Sequence, residues 1–267
     1  MAPRGKPKKT PAGPKTSDEP LRICIDRVVP DAYNPARATT TRAFALPPGI
    51  AKGVSTQFLA LPVFKMWETG DTLTCCFLDG SPTQRQKVKK YAKTWEQHAN
   101  IKLSFVNGRD AQIRISFEAD TGSWSALGTD ALIESYFPKY QPTMNFGWLR
   151  DDSPDAEYSR VVIHEFGHAL GCIHEHQSPE AGLKWNKAEV YRVFSGAPNF
   201  WSKADIDHNI LNRYDGTTTN SSKFDKKSIM LYEFPGFLFQ DGQGTSANNV
   251  LSATDKAFIK QMYPKAR

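Results

Sequence analysis

Residues 164–176 read HEFGHALGCIHEH and hold four of the six histidines in the chain. His164 and His168 stand four apart. On a helix that spacing rotates by about 40° and rises about 6 Å, so both rings leave one face and can reach one ion. Glu165 projects beside them, close enough to hydrogen-bond a water on that ion. Were the helix to run on, His174 would lie about 15 Å along the axis from His164, out of reach of a shared metal. Gly171 removes the obstacle, because glycine takes the left-handed conformation that ends a helix and turns the chain. Three neutral imidazoles with a fourth position open describe a catalytic zinc site, whereas structural zinc sites are closed by four protein ligands. The spacing therefore predicts one zinc per chain, with His164, His168 and His174 as ligands and Glu165 as general base of a hydrolytic reaction. An HExxH by itself arises by chance on helices with incidental surface histidines. The added glycine and third histidine make that bland account a poor one here.

Such a device needs a helix beneath the first two histidines. The segment SPDAEYSRVVIHEFGHALG (153–171) predicts one, with Ser153 and Pro154 at its start, Asp155 in its first turn and Gly171 at its end. Upstream, TLTCCFLDG (72–80) reads as a strand closing on an Asp-Gly turn. Residues 81–100 read as a helix, with Ser81 as cap, Pro82 in the first turn, and Val88, Tyr91, Ala92 and Trp95 at helical spacing. KLSFV, QIRISFE and TMNFGWL (143–149) add strands, and LRICIDRVV (21–29) predicts another from apolar residues at 21, 23 and 25. Beyond 171 only NKAEVYRVF and SATDKAFIKQMY look helical, and no internal repeat occurs. Strands thus concentrate before residue 150, and the later third is loop and helix.

The length of 267 residues allows one large domain or two lobes with a substantial core. The longest apolar run, FLALPVF (58–64), is too short to span a bilayer, so no membrane partner is expected. Part of the net charge of +6 sits in the first twenty residues, which carry five Lys/Arg and five Pro with almost no bulky apolar side chain. Residues 1–20 are expected to be a disordered, solvated tail. A short basic run such as KPKK matches targeting patterns by accident, so no nucleic-acid partner is expected either. The tail has no apolar core of a signal peptide, which favours a cytoplasmic protein over an extracellular one. Residues 21–56 read as an N-terminal strand and a Pro/Thr/Ala/Gly-rich connector, and 57–267 as the globular unit. Four cysteines, Cys24, Cys75, Cys76 and Cys172, do not suggest a disulfide framework. Cys75 and Cys76 should point to opposite faces of one strand, as buried free thiols of a reducing compartment.

With His164-Glu165-Phe166-Gly167-His168-Ala169-Leu170-Gly171-Cys172-Ile173-His174 in view, the chain resembles the metzincin superfamily of zinc endopeptidases, whose HExxHxxGxxH motif precedes a methionine turn. SIMLY (228–232) supplies that turn, with Met230 as the methionine that forms an apolar base beneath the zinc ligands. Within the superfamily the resemblance is to astacins. Glu175 directly follows the third histidine as their family glutamate does, and Tyr232 lies two residues after the methionine. The resemblance implies for Tyr232 a phenol that ligates zinc at rest and swings away to stabilise the oxyanion. After HEH the chain reads QSPEAG, where astacins carry an Arg/Asp-rich stretch, and its cysteines do not match their two disulfides. The resemblance covers roughly residues 70–267. It implies an α+β fold: a mixed twisted sheet with two long helices in an N-terminal lobe, a smaller irregular C-terminal lobe, and zinc in the cleft between them. It also implies an edge strand that pairs with extended substrate, for which TMNFGWL is the candidate. Matrixins stay latent through a propeptide thiolate on zinc. The Pro and Gly of that switch sequence are missing around Cys24, which is expected to be a buried strand cysteine.

The resulting expectation is a monomeric zinc metalloendopeptidase acting on internal bonds of peptide or protein substrates. A zinc-binding protein that holds peptides in the cleft without cleaving them is the alternative, and the intact Glu165 weighs against it, since binding needs no base.

Overall fold

The computed structural model describes residues 21, 23–24, 27, 29, 61–62, 65–119, 121–197, 199–214, 219–220 and 223–265. The tail at 1–20 and the connector at 30–56 lie outside them. In chain order the regular elements are β1 (Leu61–Pro62), β2 (Thr72–Phe77), α1 (Pro82–Ala92), β3 (Lys102–Phe105), β4 (Ile113–Ser116), β5 (Ser123–Ser125), β6 (Met144–Phe146), α2 (Asp155–Ala169), α3 (Lys187–Ser195), α4 (Lys203–Ile206), β7 (Thr219–Asn220) and α5 (Ala253–Met262).

Five strands form one mixed sheet in the order β3-β2-β4-β6-β5. The first four run parallel, and β5 runs antiparallel to β6, pairing Ser123 with Phe146 and Ser125 with Met144. β4 is buried along its whole length, as befits a parallel strand covered on both faces. Cys75 and Cys76 are neighbours on β2, and all four cysteines are free and buried. Burial pushes the Cys75 thiol far above its ordinary range.

This order corrects one expectation. TMNFGWL supplies β6, which is flanked by β4 and β5 and has no free edge. On that side of the sheet the edge belongs to β5, a Ser-Trp-Ser triplet too short to show a period of two. LRICIDRVV also departs from expectation. Its described residues form no regular strand; Arg27 makes a single parallel bridge to Ala126, just past β5. The two-residue pair β1–β7 puts a short strand in the later third as well.

Both long helices pack on the sheet. α1 begins with a reciprocal capping box between Ser81 and Gln84, with Pro82 in the first turn. α2 begins at Pro154 without a side-chain cap. Ser153 instead accepts the Arg150 N–H, so the start signal was right in place and wrong in partner. The main core joins Leu73, Val88, Trp95, Ile113, Ile115 and Phe146 to Val162 and Phe166 of α2, and extends to Met230 and to Phe258 and Ile259 of α5. Indole N–H groups tie this core to α2 by donating to main-chain carbonyls, Trp95 to Ile163 and Trp67 to Ala169. A second apolar cluster, built on Trp185, Val190, Phe194, Ile210, Phe234 and Phe239, forms the smaller lobe.

Candidate metal centre

α2 carries His164, Glu165 and His168, all buried. Its end is a Schellman turn: Gly171 takes φ 95°, its N–H bonds the His168 carbonyl, and the Cys172 N–H reaches back to the Gly167 carbonyl. That turn swings His174 back toward the helix, as the position of the glycine requires. Gly167 is needed for a different reason. A Cβ there would stand 2.4 Å from Met230 Sδ, so the methionine packs directly under the backbone between the two helical histidines.

The three rings converge. His168 Nε2 lies 3.1 Å from His164 Nε2 and 3.0 Å from His174 Nε2. Behind them, His164 Nδ1 bonds the Ile229 carbonyl at 2.8 Å, and His168 Nδ1 bonds the Cys172 carbonyl at 2.7 Å. A carbonyl only accepts, so Nδ1 carries the proton in both rings and each Nε2 presents a bare lone pair. Two lone pairs at 3.1 Å repel unless a cation lies between them. Nitrogens about 2.0–2.1 Å from a tetrahedral zinc stand about 3.3 Å apart, so this donor set fits zinc with a few tenths of an ångström of adjustment. Burial, and then the neighbouring His168 and His174, hold His164 well below the usual imidazole range, in the neutral form that ligates.

Tyr232 closes one side, its hydroxyl 2.5 Å from His174 Nε2 and 3.2 Å from His164 Nε2. The turn that carries it is held from below by Asp255, which accepts from Ser228 Oγ, Ile229 N–H and Ser252 N–H. Asp255 is also the N3 partner of the capping box that begins α5. Burial raises its pKa. Glu175 is buried too. It accepts the Asp225 N–H at 2.7 Å, its second oxygen has no partner among the described residues, and burial pushes its carboxyl up to about 8.

Cys24 overturns its expected place. It is buried, but not as a strand cysteine: Sγ and the ligating atoms of His164, His168 and His174 all lie within 4.8 Å of one another. The thiol donates to Glu165 Oε2 at 3.2 Å. Ile23 beside it joins the smaller lobe's apolar cluster, the Arg27 guanidinium stacks 4.4 Å above the Trp124 ring, and Val29 packs with Trp124 and Phe137. The described residues of 21–29 thus touch both the smaller lobe and the end of β5. Their signal in the sequence was a lone cysteine between charged residues.

Residues 66–181 match the family model for matrixin peptidases. The structure of myroilysin is 45% identical, with a TM-score of 0.75 over 78% of this chain and 100% of that one. This chain belongs to the metzincin zinc metallopeptidases. A second myroilysin structure, 39% identical with a TM-score of 0.58, covers 92% of this metzincin and 99% of its own chain. High choriolytic enzyme 1, a hatching-enzyme zinc protease of the medaka Oryzias latipes, shares the fold at 18% identity and a TM-score of 0.51, over 76% of this chain and 96% of its own. Zinc metalloproteinase nas-38 of Caenorhabditis elegans is 25% identical over 120 residues, 45% of this chain; the metzincin spans only 14% of that relative's length. The family is one of peptide-bond hydrolases that use one zinc, and the histidine cluster is compatible with holding it. The expectation of a cytoplasmic protein is corrected: nas-38, the hatching enzyme and myroilysin are secreted enzymes. Buried thiols and the composition of one short segment do not fix a compartment. Among the described residues no helix is long and apolar enough to cross a membrane.

Proposed function

We infer that this metzincin is a zinc endopeptidase whose globular unit spans residues 57–267, and that its N-terminal stretch holds it latent. The observation that carries the reading is the convergence of three imidazole Nε2 atoms beside Glu165, with Cys24 Sγ as a fourth donor in the same cluster. His164, His168 and His174 would hold the metal, with Tyr232 at hand as a further ligand. Bound there, zinc supplies Lewis acidity and brings the pKa of its water toward neutrality. Glu165 takes the proton of the attacking water and passes it to the departing amine. Tyr232, displaced from the ligands, donates its O–H to the oxyanion. An extended peptide reaches these groups by pairing with the outer edge of β5 once the N-terminal stretch has left it.

In the latent chain the same groups are engaged. Cys24 Sγ is a fourth donor in the histidine cluster, and its thiol bonds Glu165, where it would exclude an attacking water. A site with four protein donors is a closed site. Cys24→Ala in the full chain should therefore digest a mixed peptide library without prior activation, while the parent chain is slow. In that background Glu165→Gln should keep about one zinc per chain and lose hydrolysis, and His168→Ala should lose most of the metal. Parent and Cys24→Ala chains of equal activity would remove the latency. Near-normal turnover by Glu165→Gln, or full zinc retention by His168→Ala, would refute the roles given to those residues.

A further inference from the structure

Main-chain carbonyls orient two of the three histidines, but a side chain orients the third. His174 Nδ1 lies 3.1 Å from Gln177 Oε1, and Gln177 Nε2 lies 2.6 Å from the His208 carbonyl oxygen and 3.5 Å from that of Asn212. The amide's two ends have the same shape, so only its hydrogen bonds distinguish them. Carbonyl oxygens accept and never donate, so the NH2 end must face His208 and Asn212. The amide oxygen then faces His174, and it too can only accept. His174 must therefore carry its proton on Nδ1, which leaves Nε2 bare toward the cluster. Local geometry brings the pair together. His174 precedes a single 3-10 turn, Glu175–Gln177, in which the Gln177 N–H donates to the His174 carbonyl and the side chain folds back over the ring. Gln177 is itself buried.

We propose that Gln177 is the positioning residue of the third zinc ligand, fixing the tautomer and ring plane of His174 from an anchor on the turn at 207–212. This rests on the reading that His174 holds zinc. A glutamine can do this only because both ends of its amide are used, since with one end free the group would flip and offer His174 a donor. The turn that anchors it is a wide one, Asp207–Leu211, following α4, so the smaller lobe sets the aim of a ligand that follows the active-site helix.

Zinc affinity of the full chain, measured by competition with a chromophoric chelator, tests the proposal. Gln177→Met fills the same space without the amide and should bind zinc about 10- to 100-fold more weakly, the range for losing such an outer partner. A second readout needs no variant. In the zinc-loaded parent chain, long-range proton–nitrogen spectra should show His174 protonated at Nδ1, with a slowly exchanging proton that packing alone would not protect. Gln177→Met, checked for folding by circular dichroism, should lose that protection. Unchanged zinc affinity in Gln177→Met, or a parent His174 whose Nδ1 proton is absent or exchanges freely, overturns the role of Gln177. A parent chain that binds no zinc would instead overturn the ligand reading beneath it.

Discussion

The two lobes on either side of the metal centre are held in different ways. In the sheet lobe, regular elements bury periodic apolar faces: β4 is covered on both sides, and α1 and α2 pack their stripes against the strands. In the stretch from residue 172 onward, most of what faces the site is irregular backbone fastened by single side chains. Asp255 holds the methionine turn, Glu175 holds Asp225, Gln177 spans from His174 to the turn at 207–212, and Thr245 Oγ1 accepts from the Phe234 N–H. Hydrophobic packing is spread over many partners and tolerates loss at one of them. A buried polar anchor has few partners, and removing it leaves the others unsatisfied. The sheet lobe therefore spreads its stability over many contacts, whereas the irregular stretch rests both its stability and the aim of the site on single anchors.

Substitutions should separate these roles. The largest effect is expected at Tyr232, which packs in the smaller lobe's aromatic cluster while its hydroxyl reaches the histidines. In the Cys24→Ala background, Tyr232→Phe should lower kcat on the order of a hundredfold or more, the about 2.7–4 kcal/mol of a lost oxyanion donor. KM and zinc content should stay nearly constant, because the ground-state peptide does not use that bond. Steady-state kinetics with intact kcat would make Tyr232 a packing residue only.

Next comes Asp255→Ala, which strands the Ile229 N–H, the Ser228 hydroxyl and the Ser252 N–H, the last being half of the box that caps α5. Urea unfolding should register about 3 kcal/mol, and zinc affinity should fall with it, since Ile229 orients His164. A loss of stability with zinc binding untouched would uncouple the turn from the site. Asp255 also gives a sign for pH. Its folded pKa is raised above the ordinary 3.8 by burial, so the native state keeps a proton that the unfolded chain releases. Its contribution is complete below that ordinary value and is lost as pH rises through the folded pKa. Asp255→Asn should flatten this decline.

The smallest change is expected from Val88→Ala in α1, a fully buried site of the sheet lobe. About 1.5 kcal/mol of stability should go, with kcat and zinc affinity unaltered in the Cys24→Ala background. If this distant core substitution loosened zinc as Asp255→Ala does, the division between the lobes would collapse.

What could be read from residues alone follows the same division. The cap at Ser81, the strand that closes on an Asp-Gly turn, the histidine spacing on α2 and the glycine that ends it are local signals, and each marks its element, although the helix expected over 81–100 stops at Ala92 and Trp95 begins a separate 3-10 turn. Strand order was not legible, because β5 offers three residues and no pattern, while β6 offers a longer apolar alternation that suits an interior strand as well as an edge. Gln177 gave no sign of itself, since an amide becomes informative only when the partners at both its ends are known. Cys24 was misjudged for a similar reason. A lone thiol's neighbours in sequence say little about a contact with Glu165, 141 positions away.

Asp255 carries one more consequence, in the order of synthesis. The carbonyl that orients His164 belongs to Ile229, and Ile229 is pinned by a residue in the first turn of α5. A ribosome makes all three histidines, Glu165 and Tyr232 well before it reaches that turn. Until α5 has emerged and capped itself, the growing polypeptide owns every ring of the histidine cluster but lacks the clamp behind the first of them.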